Sequence, residues 1–332
     1  VISASSTHKI SADNTARANG DSLDLFLERT RSSDYQEYLG GMGYAVDRMR
    51  QVRFSTDDPM QLYQIRGDSE TIQAVGRISP LAWDSEVLKF PVARIDVVAG
   101  TDGVSSAKVI RAMTEQADRS GVRMLTARVR GDDFPTLHAL EHHGFRLMDT
   151  LTVFLLDRNR PLPFSPKPMP DGVSIEPLNP EDRDKRRILQ EIAAESFRSS
   201  RVMNDPGITP SQASRFFRRM SEDLLNHPGA LSLVALNEGH PVGFAVGQRD
   251  DGLSSAIGRN IGYLWLIGVA SQAAGRGVGG ALLRRFAADF LRRFDLLEIA
   301  TQSCNLEAMN LYVRHRLPVV ATSATLHRHT GR

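Results

Sequence analysis

The 332-residue chain carries 41 Lys+Arg against 39 Asp+Glu, a formal net charge of +2, and 41% of its residues are hydrophobic. That length and composition supply cores for two domains, and the balanced charge gives no chain-wide electrostatic case for nucleic acid. A single cysteine, Cys304, excludes an internal disulfide, a redox pair or a cysteine metal knuckle. No apolar run approaches the roughly 20 residues that span a bilayer, and the first residues show no signal-peptide core. The chain is therefore expected in the cytoplasm, with neither nucleic acid nor membrane as partner.

From the N-terminus, residues 1–22 are rich in Ser, Thr, Asn and Asp without sustained periodicity, the composition of a flexible lead-in. Leu23, Leu25, Phe26, Tyr35, Tyr38 and Leu39 then suit a short helical pair. From Thr71 the pattern becomes α/β. Ala74–Ile78 and Arg94–Val98 read as strands, Ser105–Arg119 as a helix and Met124–Val129 as a strand. A helix carrying His138, Leu140 and His143 meets Gly144-Phe145, and Leu151–Leu156 closes a unit over 23–158. Pro161, Pro163, Pro166, Pro168 and Pro170 make 159–171 a stiff extended linker, which places a domain boundary there.

A second unit, over 172–332, opens with the strand Val173–Pro177 and a helix begun by Asn179-Pro180-Glu181-Asp182. Ala213–Leu225 is an amphipathic helix, and Leu231–Leu236 with Val242–Val246 form a hairpin around Asn237-Glu238-Gly239-His240. An apolar run from Tyr263 to Val269 then leads into Gly275, Gly277, Gly279 and Gly280. The helix that follows lines up Leu282, Leu283, Phe286, Ala287, Phe290, Leu291 and Phe294 on one face, leaving Arg284, Arg285, Asp289, Arg292 and Arg293 mostly to water. Strand, glycine turn and helix N-terminus bring unpaired N–H groups and the positive end of a helix dipole to one point, where they favour a phosphate. No Lys-Ser or Lys-Thr pair follows the glycines, and no βαβ unit follows the helix, so the nucleoside triphosphate loop and the dinucleotide fold are both excluded. Leu297–Gln302 is a further strand, Leu306–Val313 a helix and Val319–His327 the last strand.

The run from Val269 through Gly275-Arg276-Gly277-Val278-Gly279-Gly280 to Leu283 resembles the acetyl-CoA pyrophosphate loop of the GNAT acyltransferase superfamily. That loop reads Arg or Gln, two residues, Gly, one residue, then Gly or Ala. Ala274 stands where the family has its leading Arg or Gln, and Gln272 lies two residues out of frame. The departure leaves the pyrophosphate to backbone amides, with help from Arg276. The segment Asn305 to Tyr312 resembles the family motif in which an Asn starts a helix after a strand and a Tyr two turns on protonates the CoA sulfur. Read from the residues alone, Asn305 as a helix cap and Tyr312 as a packed side chain stay open. Arg316-Leu317 replaces the family's Gly-Phe.

The first half has the same order of elements, with Asp133, Thr136, Leu137 and Gly144-Phe145 at family positions, but Gly100-Thr101-Asp102-Gly103 lacks the spaced glycines. The resemblance thus implies an α/β (α+β) fold of two GNAT-like mixed-sheet units in tandem, the N-terminal one without a cofactor loop. It implies acetyl-CoA, or another acyl-CoA, bound by Ile267, Gly268, Val269, Gly275, Arg276, Gly277, Val278, Gly279, Gly280 and Asn305, with Tyr312 as general acid.

Acyl transfer also needs a route for the amine's proton. Many GNAT enzymes carry a Glu on the strand ahead of the loop, whereas Tyr263–Ile267 offers no carboxylate; Glu86, His327, His329 and water are the candidates. Three shorter stretches resemble nucleotide-amino-sugar acetyltransferases of the TDP-fucosamine type. They are Trp83-Asp84-Ser85-Glu86 with Phe90-Pro91, in which Lys89 stands where those proteins have Gly; Phe197-Arg198-Ser199-Ser200-Arg201 with Asp205-Pro206; and Leu326-His327-Arg328-His329. The substrate-binding residues so implied are Trp83, Asp84, Glu86, Arg198, Arg201, Tyr263 and Trp265, and a pair of arginines suits a diphosphate. Expected is an N-acetyltransferase for a small amine, a nucleotide-linked amino sugar. A GNAT enzyme for a peptide or antibiotic amine and an acyl-CoA-binding sensor without turnover are the alternatives, and a homodimer is left open.

Overall fold

The computed structural model describes residues 10–12, 61–66, 72–196 and 200–330. The expected helical pair from Leu23 to Leu39 lies outside them. The chain divides into two compact units, 1–149 with 322–332, and 150–321.

In the first unit, β1 (Ile10–Ala12), β2 (Gln61–Arg66), β3 (Ile72–Pro80) and β4 (Val92–Gly100) pair antiparallel in sequence. The next strand, β5 (Met124–Arg130), pairs parallel with β4 from Val92↔Met124 to Ile95↔Ala127. Its other edge is closed by the last strand of the chain, β12 (Val319–His329), through Met124↔His329 to Arg130↔Ser323. Between β3 and β4 lies α1 (Ala82–Leu88), where Ser85 Oγ donates to Leu81 O at 2.6 Å and accepts from Val92 N at 2.9 Å. That serine of the Trp83-Asp84-Ser85 motif therefore staples α1 to β4. Two further helices, α2 (Gly103–Arg119) and α3 (Phe134–His142), cover one face of the sheet over a core that includes Ile95, Ile110, Met113, Leu125 and Leu140.

The second unit's sheet runs β6-β11-β10-β9-β8-β7. Its outer strand is β6 (Arg146–Asp157), which pairs through Leu151–Asp157 with β11 (Leu296–Gln302). The strands β7 (Val173–Pro177), β8 (Leu231–Asn237), β9 (His240–Arg249) and β10 (Ile261–Val269) complete it. The β8–β9 hairpin turns on Glu238 and Gly239, both at positive φ (50° and 84°), as a two-residue turn between right-twisted strands requires. On one face pack α7 (Val278–Leu291) and α8 (Leu306–Arg314), with Leu282, Leu283, Phe286 and Phe290 fully buried, each worth about 1.5–3 kcal/mol of transfer free energy. On the other pack α4 (Arg183–Ser196) and α5 (Pro210–Asn226), the latter begun by a reciprocal Thr209–Gln212 capping box. A short helix, α6 (Asp251–Ile257), follows β9 and has no counterpart in the sequence reading.

The units do not divide at the prolines. Each sequence repeat sends its final strand to the other repeat's sheet: β6 closes β11 and β12 closes β5. The stretch 159–171, expected as a linker, lies within the second unit. Phe164 packs on its core and meets the ring of His315 edge-on at 5.9 Å, which pins a segment otherwise without regular structure.

Candidate active site

Where β10 leaves β11, the second unit opens. The parallel ladder runs from Ile261↔Leu296 to Leu264↔Ile299 and stops, while β10 stays paired with β9 on to Val269↔Gly243. Between Leu264 and Leu266 the β9 register shifts, so Trp265 bulges outward, 46% exposed. Ile267, Gly268 and Val269 thus lie on a stretch of β10 whose β11 side is not taken up by that ladder, the kind of free strand edge to which an extended amide-bearing chain can add.

The glycine turn lies at the end of this stretch. Gly275 and Gly277 take φ of 76° and 85°, a left-handed conformation that costs a side-chain-bearing residue. Gly277 is the N-cap of α7, and no side chain caps that helix. Among the described residues no side chain thus caps the first-turn amides of Val278, Gly279 and Gly280 from the N-cap position. Gly279 is required neither by its backbone nor by packing: a Cβ there would meet Val269 Cγ2 at 3.6 Å, ordinary contact. By contrast, a Cβ on Gly280 would meet His315 Cε1 at 2.9 Å, so that glycine serves the packing of α7 against His315. Arg284, expected on the watery face, instead hydrogen-bonds His315 Nε2 at 3.2 Å, and burial lowers its pKa. Arg276 is exposed beside the turn.

The equivalent helix of the first unit is closed. Asp102 caps α2 by accepting from Ser105 N at 2.7 Å, and a Cβ on Gly100 would lie 2.4 Å from Ser106 Oγ. A carboxylate already holds the place of an anion.

Asn305 caps α8 by accepting from Ala308 N at 3.2 Å. Two turns on, Tyr312 is 3% exposed in the core beneath α7 and meets Phe154 edge-on at 5.2 Å. Burial, the one cause acting on it, pushes its phenol far up, so the hydroxyl keeps its proton throughout the physiological range. After α8, Arg316 takes φ of 55° and Leu317 is buried, so a left-handed turn stands on an arginine at the position where the resembled family has glycine. In the first unit Gly144 makes the same turn at 83°, followed by buried Phe145.

Of the residues expected at the acceptor, Tyr263 and Trp265 lie together with ring centroids 4.9 Å apart, and the Tyr263 hydroxyl donates to Asp250 Oδ2 at 3.2 Å. Arg201 stacks over Phe216 of α5 at 5.5 Å; Arg198 lies outside the described residues. Trp83, Asp84 and Glu86 belong to the first unit, on α1, as do His327 and His329 on β12. Two carboxylates not expected from the sequence also lie in this unit: Asp250, under the Tyr263 hydroxyl, and the buried Glu298 on β11. Alternation would have found Glu298: it interrupts an apolar strand at the position facing away from Leu297 and Ile299.

Among the described residues no helix is long and apolar enough to cross a membrane. Residues 189–316 match the acetyltransferase (GNAT) family, which covers the glycine turn, Asn305 and Tyr312. The spore coat polysaccharide biosynthesis protein SpsD of Bacillus subtilis (strain 168) is 24% identical over 209 residues, 62% of this chain and 70% of that protein. A GCN5-related N-acetyltransferase from Sphaerobacter thermophilus shares the fold with a TM-score of 0.61 and 17% identity, over 97% of this chain and 95% of that one. A tandem GNAT protein from the clavulanic acid biosynthesis pathway does so with a TM-score of 0.58 and 15% identity, over 98% of this chain and 99% of that one.

Proposed function

We propose that the second unit, in which residues 189–316 match the acetyltransferase (GNAT) family, transfers an acetyl group from acetyl-CoA to the amine of a nucleotide-linked amino sugar. The observation that carries the donor half is the uncapped N-terminus of α7 behind Gly277. First-turn amides and helix dipole together suit a diphosphate, and Gly279 leaves room for it to approach. The amide-bearing arm of CoA fits the free edge of β10 at Ile267–Val269, where β11 has turned away. Acetyl-CoA supplies the activated acyl group. Tyr312 keeps a proton that it can place on the departing sulfur, and burial among apolar side chains strengthens that hydrogen bond.

The amino-sugar acceptor is supported by the likeness to SpsD, whose name places it in polysaccharide biosynthesis, and by the Trp83-Asp84-Ser85 and Ser200-Arg201 segments. The test is a screen of CoA release from acetyl-CoA with dTDP- and UDP-linked amino sugars, free amino sugars, peptides and aminoglycosides. The reading expects a kcat/KM for a nucleotide amino sugar at least ~10-fold above every other acceptor, a difference of ~1.4 kcal/mol in transition-state binding. Preference for a peptide or an aminoglycoside would replace the acceptor; tight acetyl-CoA binding without CoA release would make the protein a sensor.

A further inference from the structure

Beside the first turn of α7 stands a cation that no carboxylate among the described residues answers. Arg284 follows Gly280 by four residues, and helical side chains lean toward the N-terminus, so its guanidinium comes back over that first turn. A Cβ on Gly280 would lie 3.4 Å from Arg284 Nη1. The guanidinium is fixed there by its hydrogen bond to His315 Nε2 at 3.2 Å. His315, the C-cap of α8, is itself set by a second bond, with Nδ1 2.9 Å from Leu311 O. A carbonyl can only accept and a guanidinium can only donate, so the proton sits on Nδ1 and Nε2 offers Arg284 its lone pair. Phe164 holds the same ring edge-on at 5.9 Å. Arg284 is therefore aimed, not loose.

Its charge is nonetheless left over. On the same helix Arg285 and Arg292 share Asp289, whereas half-buried Arg284 meets a neutral imidazole, and burial is the single cause acting on its pKa. Holding a cation away from water without an opposite charge is costly, and an arriving anion recovers that cost.

We propose that Arg284, aimed by His315, binds the 3′-phosphate of the acyl-CoA donor and so selects CoA over its 3′-dephospho form. This rests on the reading that the N-terminus of α7 holds the donor's diphosphate. Both groups hang from one ribose, the diphosphate at its 5′-oxygen, so an anchor for the second belongs about one helical turn, ~5 Å, from the anchor for the first. Arg284 stands at that remove, against the third residue of the turn. A phosphate monoester carries close to two negative charges at neutral pH and three acceptor oxygens, which suit the paired donors of a guanidinium. The first-turn amides then serve the diphosphate and Arg284 the monoester. His315 acts through Arg284 as a positioning residue.

The test is calorimetric titration of acetyl-CoA and of acetyl-3′-dephospho-CoA into wild type, Arg284→Gln and His315→Leu, with the melting temperature as the check on fold. Arg284→Gln keeps a donor for His315 Nε2 and removes the charge. Expected is a wild type that binds acetyl-CoA roughly 10–100-fold more tightly than the dephospho ligand, the scale of a hydrogen bond to a charged group. Arg284→Gln should lose most of that preference while its affinity for the dephospho ligand stays as in wild type. His315→Leu keeps the guanidinium without its aim and should lose part of the preference, again on acetyl-CoA alone. Equal weakening toward both ligands would put Arg284 on the diphosphate or in packing and overturns the proposal. So does a preference that survives Arg284→Gln, or a wild type that binds both ligands alike. A wild type without measurable affinity for either ligand overturns the diphosphate reading itself and removes the role of Arg284 with it.

Discussion

Gly277 and Asp102 occupy the same place, the N-cap of the helix that follows the central parallel strand, and do opposite things there. Gly277 leaves the first turn of α7 without a side-chain acceptor, whereas the Asp102 carboxylate fills the first turn of α2 at 2.7 Å from Ser105 N. One helix end is open to an anion from outside and the other carries its own. The backbone hydrogen bond from Ser105 holds the Asp102 carboxyl below its ordinary 3.8. Its folded value being depressed, the stabilisation is present above pH 3.8 and is lost as pH falls through the folded value. Asp102→Ala should cost about 0.5–2 kcal/mol at neutral pH, with wild type and variant converging in acid. Urea unfolding at both pH values checks this, and the same variant should gain no acetyl-CoA site in the first unit.

Tyr312→Phe keeps the ring against Phe154 and removes a buried hydroxyl whose raised pKa traces to burial alone. Losing it should leave the melting temperature and acetyl-CoA affinity unchanged while kcat falls by roughly 10²–10⁴-fold. A modest rise in KM with kcat unaltered would instead make the hydroxyl a ground-state contact and take Tyr312 out of the chemistry.

Lys89 and Arg316 hold φ of 65° and 55°, and both stand where the resembled families carry glycine. A left-handed non-glycine residue costs roughly 1–2 kcal/mol, partly offset because glycine loses more freedom on folding. Lys89→Gly and Arg316→Gly should therefore each stabilise the protein by about 0.5–1 kcal/mol, read as a rise in the denaturant midpoint.

The same two residues show where the sequence could be read and where it could not. Strand and helix periodicity placed β3 to β11 and the helix at Leu306–Val313 within a few residues, the glycine turn emerged from its spacing, and the pairing of Asn305 with Tyr312 came from the family resemblance. The turn at Arg316 did not, because its left-handed backbone is held by burial of Leu317 rather than by the residue that makes it. Nor did the exchange of β6 and β12, since pairing partners distant in sequence leave no periodic trace. Five prolines spoke for a linker, but Phe164 among them is a core anchor.

That exchange has a consequence for fragments. Residues 150–321 keep β6 against β11, whereas 172–332 lose β6 and leave the β11 edge bare. In urea, 150–321 should unfold in a single steep transition and 172–332 in a broad one or none. Equal cooperativity in both fragments would mean that β6 is dispensable to the second unit.

The most direct measurement is calorimetric titration of acetyl-CoA into wild type, Gly277→Asp and Gly277→Asn. Both variants place a side chain of one shape at the left-handed N-cap of α7, a conformation that Asn and Asp tolerate best, and only one adds a charge. A carboxylate about 5 Å from a diphosphate, at an effective dielectric of about 20, costs about 3 kcal/mol per unit charge. Gly277→Asp should then lose acetyl-CoA affinity on the order of 10²-fold beyond whatever Gly277→Asn loses, with similar melting temperatures for the two. Acetyl-CoA binding by Gly277→Asp as tight as by wild type would contradict a diphosphate site at this helix end.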